Sequence, residues 1–470
     1  MRMPGKRRAS ALTATLLAGG LIAGPVTASP ASAGTVTASQ ATACAAPSGS
    51  TSPLYGVNYD YLGAATFGDV NVGPLLSELD PGTLRYPGGT EADFFKWQAG
   101  KPTKNAKAYE FTLAKLAKDY QATGAAPIFD LNVLNPKNRL NTTDQVNMLK
   151  AAKADGMPVK YVEIGNELYG GGAFAKAFPS GTVYGKTVKA YVPVLHHDFP
   201  GVQVAADAVF TPSNPRQQQW NSQLLATATG AGAPDALILH YYPGVIDDPF
   251  TSADVPPLFG NAYTAISTLG SAVASLRGKP VWLTEYNYRG PYAEKTDPNP
   301  VRTSYARELY LAAFALMLPR IPHLALADSF TAVAEGTDFG DWTNPAQPTL
   351  SPSGQAVAMI DAAACGARSS VPVTIPGAPT LPGGGAAVTG QAFTASGRAT
   401  TAVLVNLTSS AQNVPTGADV PDGARYQQSA GAPTAQPTAA PALTAGTVSG
   451  SSLTLPAYSI TLVNTTTSAP

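Results

Sequence analysis

Between Leu54 and about Ala364, short apolar runs alternate with longer segments whose apolar residues recur at helical spacing. The short runs are Leu54 to Tyr59, Thr83 to Tyr86, Pro127 to Val133, Lys160 to Ile164, Val202 to Asp207, Ala236 to Tyr241, Pro280 to Glu285 and His323 to Ser329. Each reads as a buried strand. Helices are expected over Ala106 to Thr123, Thr143 to Ala154, Tyr184 to His197, Trp220 to Ala228, Ala262 to Leu276, Arg302 to Met317 and Ser353 to Ala363. Eight strands, most followed by a helix, over ~300 residues give the arithmetic of an α/β (β/α)8 TIM barrel. A doubly wound open sheet fits less well, because no G-x-G-x-x-G turn follows the first strand.

After Ser370 the pattern changes. The last hundred residues carry four charged side chains, Arg398, Asp419, Asp422 and Arg425, among Thr, Ser, Ala, Gly and Pro. Alternating or β-branched runs at Thr401 to Asn406 and Ser452 to Asn464, set between Pro/Gly turns, indicate a C-terminal β-sandwich over 367–470. Ala430 to Ala445 reads equally as part of that sandwich or as a long loop. Segment 34–53 is expected to add a strand to the sandwich, leaving 54–366 as the barrel.

Arg2, Lys6, Arg7 and Arg8 precede an apolar stretch from Ala11 to Ala23, and Ala31-Ser32-Ala33 offers a small-residue cleavage site. Residues 1–33 therefore read as a secretory signal peptide, by a Sec or a twin-arginine route. Its removal takes four cations and no acid, so 30 basic and 30 acidic residues become 26 and 30, a net charge of −4. No basic tract invites nucleic acid, and no run of ~18 apolar residues after the signal marks a membrane span. In an oxidising compartment Cys44 and Cys365 are expected to form one disulfide.

A barrel of this kind does its chemistry at the C-terminal ends of its strands. Strand four ends Glu163-Ile164-Gly165-Asn166-Glu167, and strand seven ends Trp282-Leu283-Thr284-Glu285-Tyr286-Asn287. Strands three apart let Glu167 and Glu285 face one substrate, as glycoside hydrolysis requires: one acid for the leaving oxygen and one carboxylate on the opposite face of the sugar. These two strand ends resemble those of the retaining glycoside hydrolases of clan A. Leu84-Arg85-Tyr86-Pro87-Gly88-Gly89-Thr90-Glu91-Ala92-Asp93-Phe94 resembles the strand-two loop of family 79, the heparanases and β-glucuronidases, and that of the family 51 arabinofuranosidases. His240-Tyr241-Tyr242 leans towards family 79.

The resemblance implies Glu285 as nucleophile, with Arg85 lowering its pKa, and Glu167 as general acid/base with a raised pKa. It also implies Asn166 as a hydrogen-bond partner of the sugar 2-hydroxyl. Tyr242 and His240 are candidates to position Glu285 or line the sugar site. Asn58, Asp60, Asp130 and Asn132 stand where hydroxyls are read, and Gly88-Gly89-Thr90 could offer backbone N–H groups to a uronate. Trp97 and Trp342 are candidate stacking platforms, and Glu163 is expected in a buried ion pair. His196, His197, His240 and His323 show no ligand spacing, so no metal and no cofactor is expected.

The function expected is thus a secreted retaining glycosidase acting on a carbohydrate, β-glucuronidase-like, with α-L-arabinofuranosidase as runner-up. A rival of another class is a carbohydrate-binding or cell-wall protein that kept the barrel and lost turnover.

Overall fold

A computed structural model describes residues 53–68, 72–244, 250–288, 301–334, 340–394 and 401–464. Eight parallel strands close into a barrel: β1 (Leu54–Asn58), β2 (Thr83–Tyr86), β3 (Ala126–Asp130), β4 (Tyr161–Glu163), β5 (Gln203–Asp207), β6 (Ala236–Tyr241), β7 (Val281–Tyr286) and β8 (Leu324–Ser329). Each pairs with its neighbours in sequence, and β8 closes on β1 through Leu54↔Leu326 and Tyr55↔Ala327. The eight strands expected from the sequence are these eight, with ends shifted by up to three residues.

Side chains of alternate residues divide the strands into an inner and an outer face. Leu54, Ile128, Tyr161, Ala205, Ala236, Ile238, Trp282 and Leu326 fill the barrel floor, where Tyr161 meets Trp282 edge to face at 5.5 Å. Two residues further along β4, Glu163 also points inward, among polar groups. Glu285 breaks the alternation. Strand β7 has one residue more than either neighbour at this point, pairing Leu239↔Leu283 but His240↔Glu285 with β6, and Ala327↔Leu283 but Ser329↔Tyr286 with β8. This bulge turns Glu285 into the barrel mouth instead of outward.

The helical layer comprises α1 (Tyr61–Phe67), α2 (Val72–Leu79), α3 (Leu113–Thr123), α4 (Thr143–Ala154), α5 (Ala173–Ala177), α6 (Gly181–Asp198), α7 (Pro215–Thr227), α8 (Val255–Ser275), α9 (Tyr305–Met317) and α10 (Pro352–Ala364). Side-chain caps start several of them: Asp60 for α1, Thr112 for α3, Ser180 for α6, Asn214 for α7 and Ser351 for α10. Thr112 corrects the expected start of α3 at Ala106, since its hydroxyl accepts from Lys115 N–H and opens the helix seven residues later. Helices α1, α2 and α5 had no counterpart in the hydrophobic pattern; α1 and α5 span only seven and five residues.

The C-terminal region is antiparallel: β9 (Ser369–Pro372), β10 (Val388–Thr394), β11 (Thr401–Asn406), β12 (Gln412–Pro415), β13 (Arg425–Ala430), β14 (Thr444–Thr447), β15 (Ser452–Leu455) and β16 (Ser459–Asn464). Six strands form one sheet in the order β9-β10-β11-β16-β13-β14, and β12 pairs with β15. In β11, Ala402 and Leu404 face the sandwich interior while Val403 and Val405 join the main core under α9 and α10. Residues 431–443 form a loop without regular structure. Its Ala435 and Pro433 carbonyls accept from Tyr305 and Ala306 N–H at 2.8 Å each, and the Pro441 carbonyl accepts from the Gln355 amide at 3.0 Å. Segments 1–33 and 34–52, with Cys44, lie outside the described residues; Cys365, at the end of α10, is not a free thiol. No helix among the described residues is long and apolar enough to cross a membrane.

Where α9 meets the sandwich, Glu308 is 1% exposed and neither carboxyl oxygen has a hydrogen-bond partner. Burial pushes its pKa well up, tempered by Ser429, which is close without meeting hydrogen-bond geometry. Such a group gives its full stability below its unfolded pKa of ~4.3 and loses it as pH rises toward the native value. Glu308→Gln is therefore expected to raise Tm at pH 7.5 by about 2–4 °C and to leave it unchanged at pH 4, by calorimetry; equal shifts at both pH values would refute the buried-acid account.

Candidate active site

At the barrel mouth the polar groups are organised by one cation. Arg85 on β2 is fully buried, and its Nε donates to Glu163 Oε2 at 2.6 Å. Nη1 donates to Asn58 Oδ1 at 3.0 Å and Glu285 Oε1 at 2.7 Å. Nη2 donates to Asp130 Oδ2 at 3.1 Å and Asn166 Oδ1 at 2.9 Å. The planar fork of a guanidinium suits this role, since its donors leave in fixed directions toward strands one, three, four and seven. Burial alone would weaken the charge, but Glu163, Asp130 and Glu285 outweigh it and hold Arg85 ionised. The pairing expected of Glu163 is present. Asp130 is pushed well up, chiefly by burial and against the pull of Arg85, as are Asp93 and Asp207 by burial.

Glu167 and Glu285 come together as their strand positions imply. Glu285, 6% exposed, accepts from Arg85 on Oε1 and from the Tyr242 hydroxyl on Oε2 at 2.5 Å. His240 Nδ1 lies 3.1 Å from Glu167 Oε1 and 3.5 Å from Glu285 Oε2. Two oxygens within reach of one nitrogen are no further apart than those distances summed, and any bend at the nitrogen brings them closer. That bound takes in the ~5–5.5 Å of double displacement and leaves out all but the lower edge of the ~6.5–9.5 Å that admits a water between the groups.

The Glu167 carboxyl was expected to sit high; it is low, at about 2. Burial pushes it up, but the hydrogen bond and charge of His240, the Tyr169 hydroxyl at 3.1 Å and Arg85 overcome that. His240 moves the opposite way: burial lowers it, and the charges of Glu285 and Glu167 raise it above its ordinary value. Its other nitrogen meets the Thr284 hydroxyl at 3.3 Å.

Several other candidates have their hydrogen bonds spent inside the fold. Asn58, fully buried, donates to the Thr284 and Ser329 carbonyls and ties β1 to β7 and β8. Asn132 donates to the Phe95 carbonyl at 2.9 Å and accepts from Asn135 N–H, which fixes a turn. Asp60 caps α1 through Gly63 N–H at 2.8 Å and is raised to about 6, by burial first and then by Glu91 and Glu285. Trp342 is no platform: it is 6% exposed and donates to the Leu75 carbonyl. Trp97 is half-buried and donates to Asp144 at 3.2 Å. Gly88 and Gly89 both have φ near +65°, and Thr90 beside them is exposed. The Gly89 position is flanked by Glu91 and Asp60, whose atoms would lie 3.8 and 3.9 Å from a Cβ there. The sequence reading missed Tyr169 and Glu91; Tyr169 lies two residues past Glu167, a spacing that gave no signal before the turn was known.

No family model matches the chain. An alignment 179 residues long, covering 34% of the chain, is 30% identical to heparanase-like protein 2 of Arabidopsis thaliana and covers 32%, about a third, of that protein. Two solved structures overlay on 89% of the chain. One is a family 51 α-L-arabinofuranosidase of Bifidobacterium longum, with 16% identity, 96% of its chain covered and a TM-score of 0.64. The other is a 4-O-α-L-rhamnosyl-β-D-glucuronidase of Fusarium oxysporum, with 15% identity, 98% covered and a TM-score of 0.60. The fold is that of the clan A glycoside hydrolases. A closed parallel barrel with an antiparallel sandwich behind it is what this chain shares with them.

Replacing Arg85 by Met removes every donor of the hub and leaves Glu163 and Glu285 uncompensated. A loss of about 3–5 kcal/mol is expected in urea unfolding; a loss under about 1 kcal/mol would show that the hub is not what holds the mouth together.

Proposed function

We propose that the protein is a secreted retaining glycoside hydrolase, with Glu285 as nucleophile and Glu167 as acid/base. The observation that supports it most directly is the convergence of both carboxylates on His240 Nδ1. A Glu285 oxygen attacks the anomeric carbon, the glycosidic C–O bond breaks, and a proton passes to the leaving oxygen from Glu167. Water then attacks the glycosyl-enzyme, giving its proton back to Glu167 and releasing Glu285. Before substrate binds, that transferable proton is held on His240, hydrogen-bonded to Glu167 Oε1. Charge on Glu285 holds it there, and formation of the glycosyl-enzyme removes that charge.

Two sugar readings follow. The strand-two loop, His240-Tyr241-Tyr242 and the heparanase-like stretch favour a β-glucuronide. The Glu91 carboxyl beside Gly89 favours an uncharged sugar such as α-L-arabinofuranose, since it would repel a uronate there. The amino-terminal basic and apolar pattern supports export, and a Cys44–Cys365 disulfide goes with it; amino-terminal sequencing of the secreted protein is expected to start after Ala33.

A panel of aryl glycosides, including β-glucuronide, α-L-arabinofuranoside, β-xyloside, β-glucoside and β-galactoside, is expected to yield one that is cleaved with retention by proton NMR and not cleaved by Glu285→Ala. Binding of oligosaccharide without turnover across the panel and on polysaccharide would favour the non-catalytic rival.

With that substrate, the basic limb of kcat/KM should lie above 6.5, because the proton is lost from a raised His240. His240→Gln is expected to move it acidward, toward ~4.3, as Glu167 alone then carries the proton. An unmoved limb would exclude His240 as the store.

A further inference from the structure

Glu167 does not lie on its strand but on the turn after it, with φ of +46°, a left-handed conformation that side chains other than glycine rarely adopt. The turn is closed by Gly170 N–H donating to the Glu167 carbonyl at 2.7 Å. Closure leaves the next three carbonyls, of Leu168, Tyr169 and Gly170, without partners from the turn itself. All three are met by one side chain. Arg216, in the first turn of α7, donates from Nη1 to Tyr169 O at 2.8 Å and from Nη2 to Gly170 O at 2.6 Å and Leu168 O at 3.3 Å. Gln217 adds a bond to Tyr169 O at 3.2 Å. The guanidinium lies over the Trp220 ring at 5.1 Å, and Trp220 is itself fixed by donating to the Asp207 carbonyl at 3.0 Å. Asp207 in turn accepts Leu168 N–H at 3.0 Å. The same turn carries Tyr169, whose hydroxyl donates to Glu167 Oε1.

We infer that Arg216 is a positioning residue for the acid/base: it fixes the turn that aims Glu167 at the leaving-group oxygen. The hydrogen bonds of Arg216 go to the backbone carbonyls of the turn, so it acts on Glu167 through the backbone. The inference rests on the reading of Glu167 as acid, and it extends that reading to a residue on helix α7. A misaimed acid harms only substrates that need their leaving group protonated. Glycosides of the same sugar with a 2,4-dinitrophenolate leaving group need little such help, and phenyl glycosides need it fully.

The test compares kcat/KM, which covers the steps through glycosidic cleavage and not the later hydrolysis of the glycosyl-enzyme, for the two leaving groups in the wild type, Glu167→Ala, Arg216→Ala and Arg216→Lys. Arg216→Ala is expected to lose about 10- to 100-fold on the phenyl glycoside and under about 3-fold on the dinitrophenyl one, with Arg216→Lys in between. Equal losses on both substrates overturn the inference and make Arg216 a merely structural residue. If Glu167→Ala itself shows no dependence on the leaving group, the acid/base reading fails instead. A crystal structure of Arg216→Ala, which needs no turnover, is expected to show residues 167–170 displaced and Glu167 out of reach of His240; an unmoved turn also overturns it.

Discussion

The guanidinium of Arg85 is the constraint from which the barrel mouth takes its shape. Buried charge is costly unless it is paired and hydrogen-bonded, and here one cation meets side chains from β1, β3, β4 and β7 together with Asn166 beyond β4. Those partners cannot drift independently, since each is held to the same rigid plane. Glu285 enters this arrangement through a bulge, and Tyr242 takes its second oxygen. The two carboxyl groups thereby acquire different surroundings. One leans on a permanent cation buried below it, the other on an imidazole whose proton the two carboxylates hold more tightly than usual.

Much of this was legible in the sequence. Eight apolar runs spaced by amphipathic segments sufficed for the barrel, because a strand covered on both sides leaves a strong hydrophobic signature. Glu167, Glu285, Arg85 and Asn166 were singled out because strand ends are where such barrels keep their chemistry, and the fold brings them together at the mouth. The polar residues at the ends of β1 and β3 were harder. Asn58 and Asn132 occupy positions where a sugar contact and a structural clamp have the same residue type, and only the partners tell them apart. Trp342 misled for a related reason: an indole is as useful buried as exposed.

The direction of the Glu167 pKa was out of reach from sequence. Enclosure alone argues for a high value, and His240 comes from a strand two places away, so its effect depends on a distance of 3.1 Å that no spacing rule supplies. The β7 bulge is equally silent. Strict alternation would place Glu285 on the outer face with Leu283, yet one extra residue reverses it.

The two-sided burial of β11 bears on how this chain can be divided. Val403 and Val405 belong to the core shared with α9 and α10, whereas Ala402 and Leu404 belong to the sandwich. Residues 431–443 meanwhile satisfy N–H groups at the start of α9. A cut near residue 367 would therefore strip α9 and α10 of a wall and leave the sheet with a naked apolar face. The sandwich is the outer shell of the barrel's last two helices, and exchanging it between related enzymes would mean redesigning both surfaces at once.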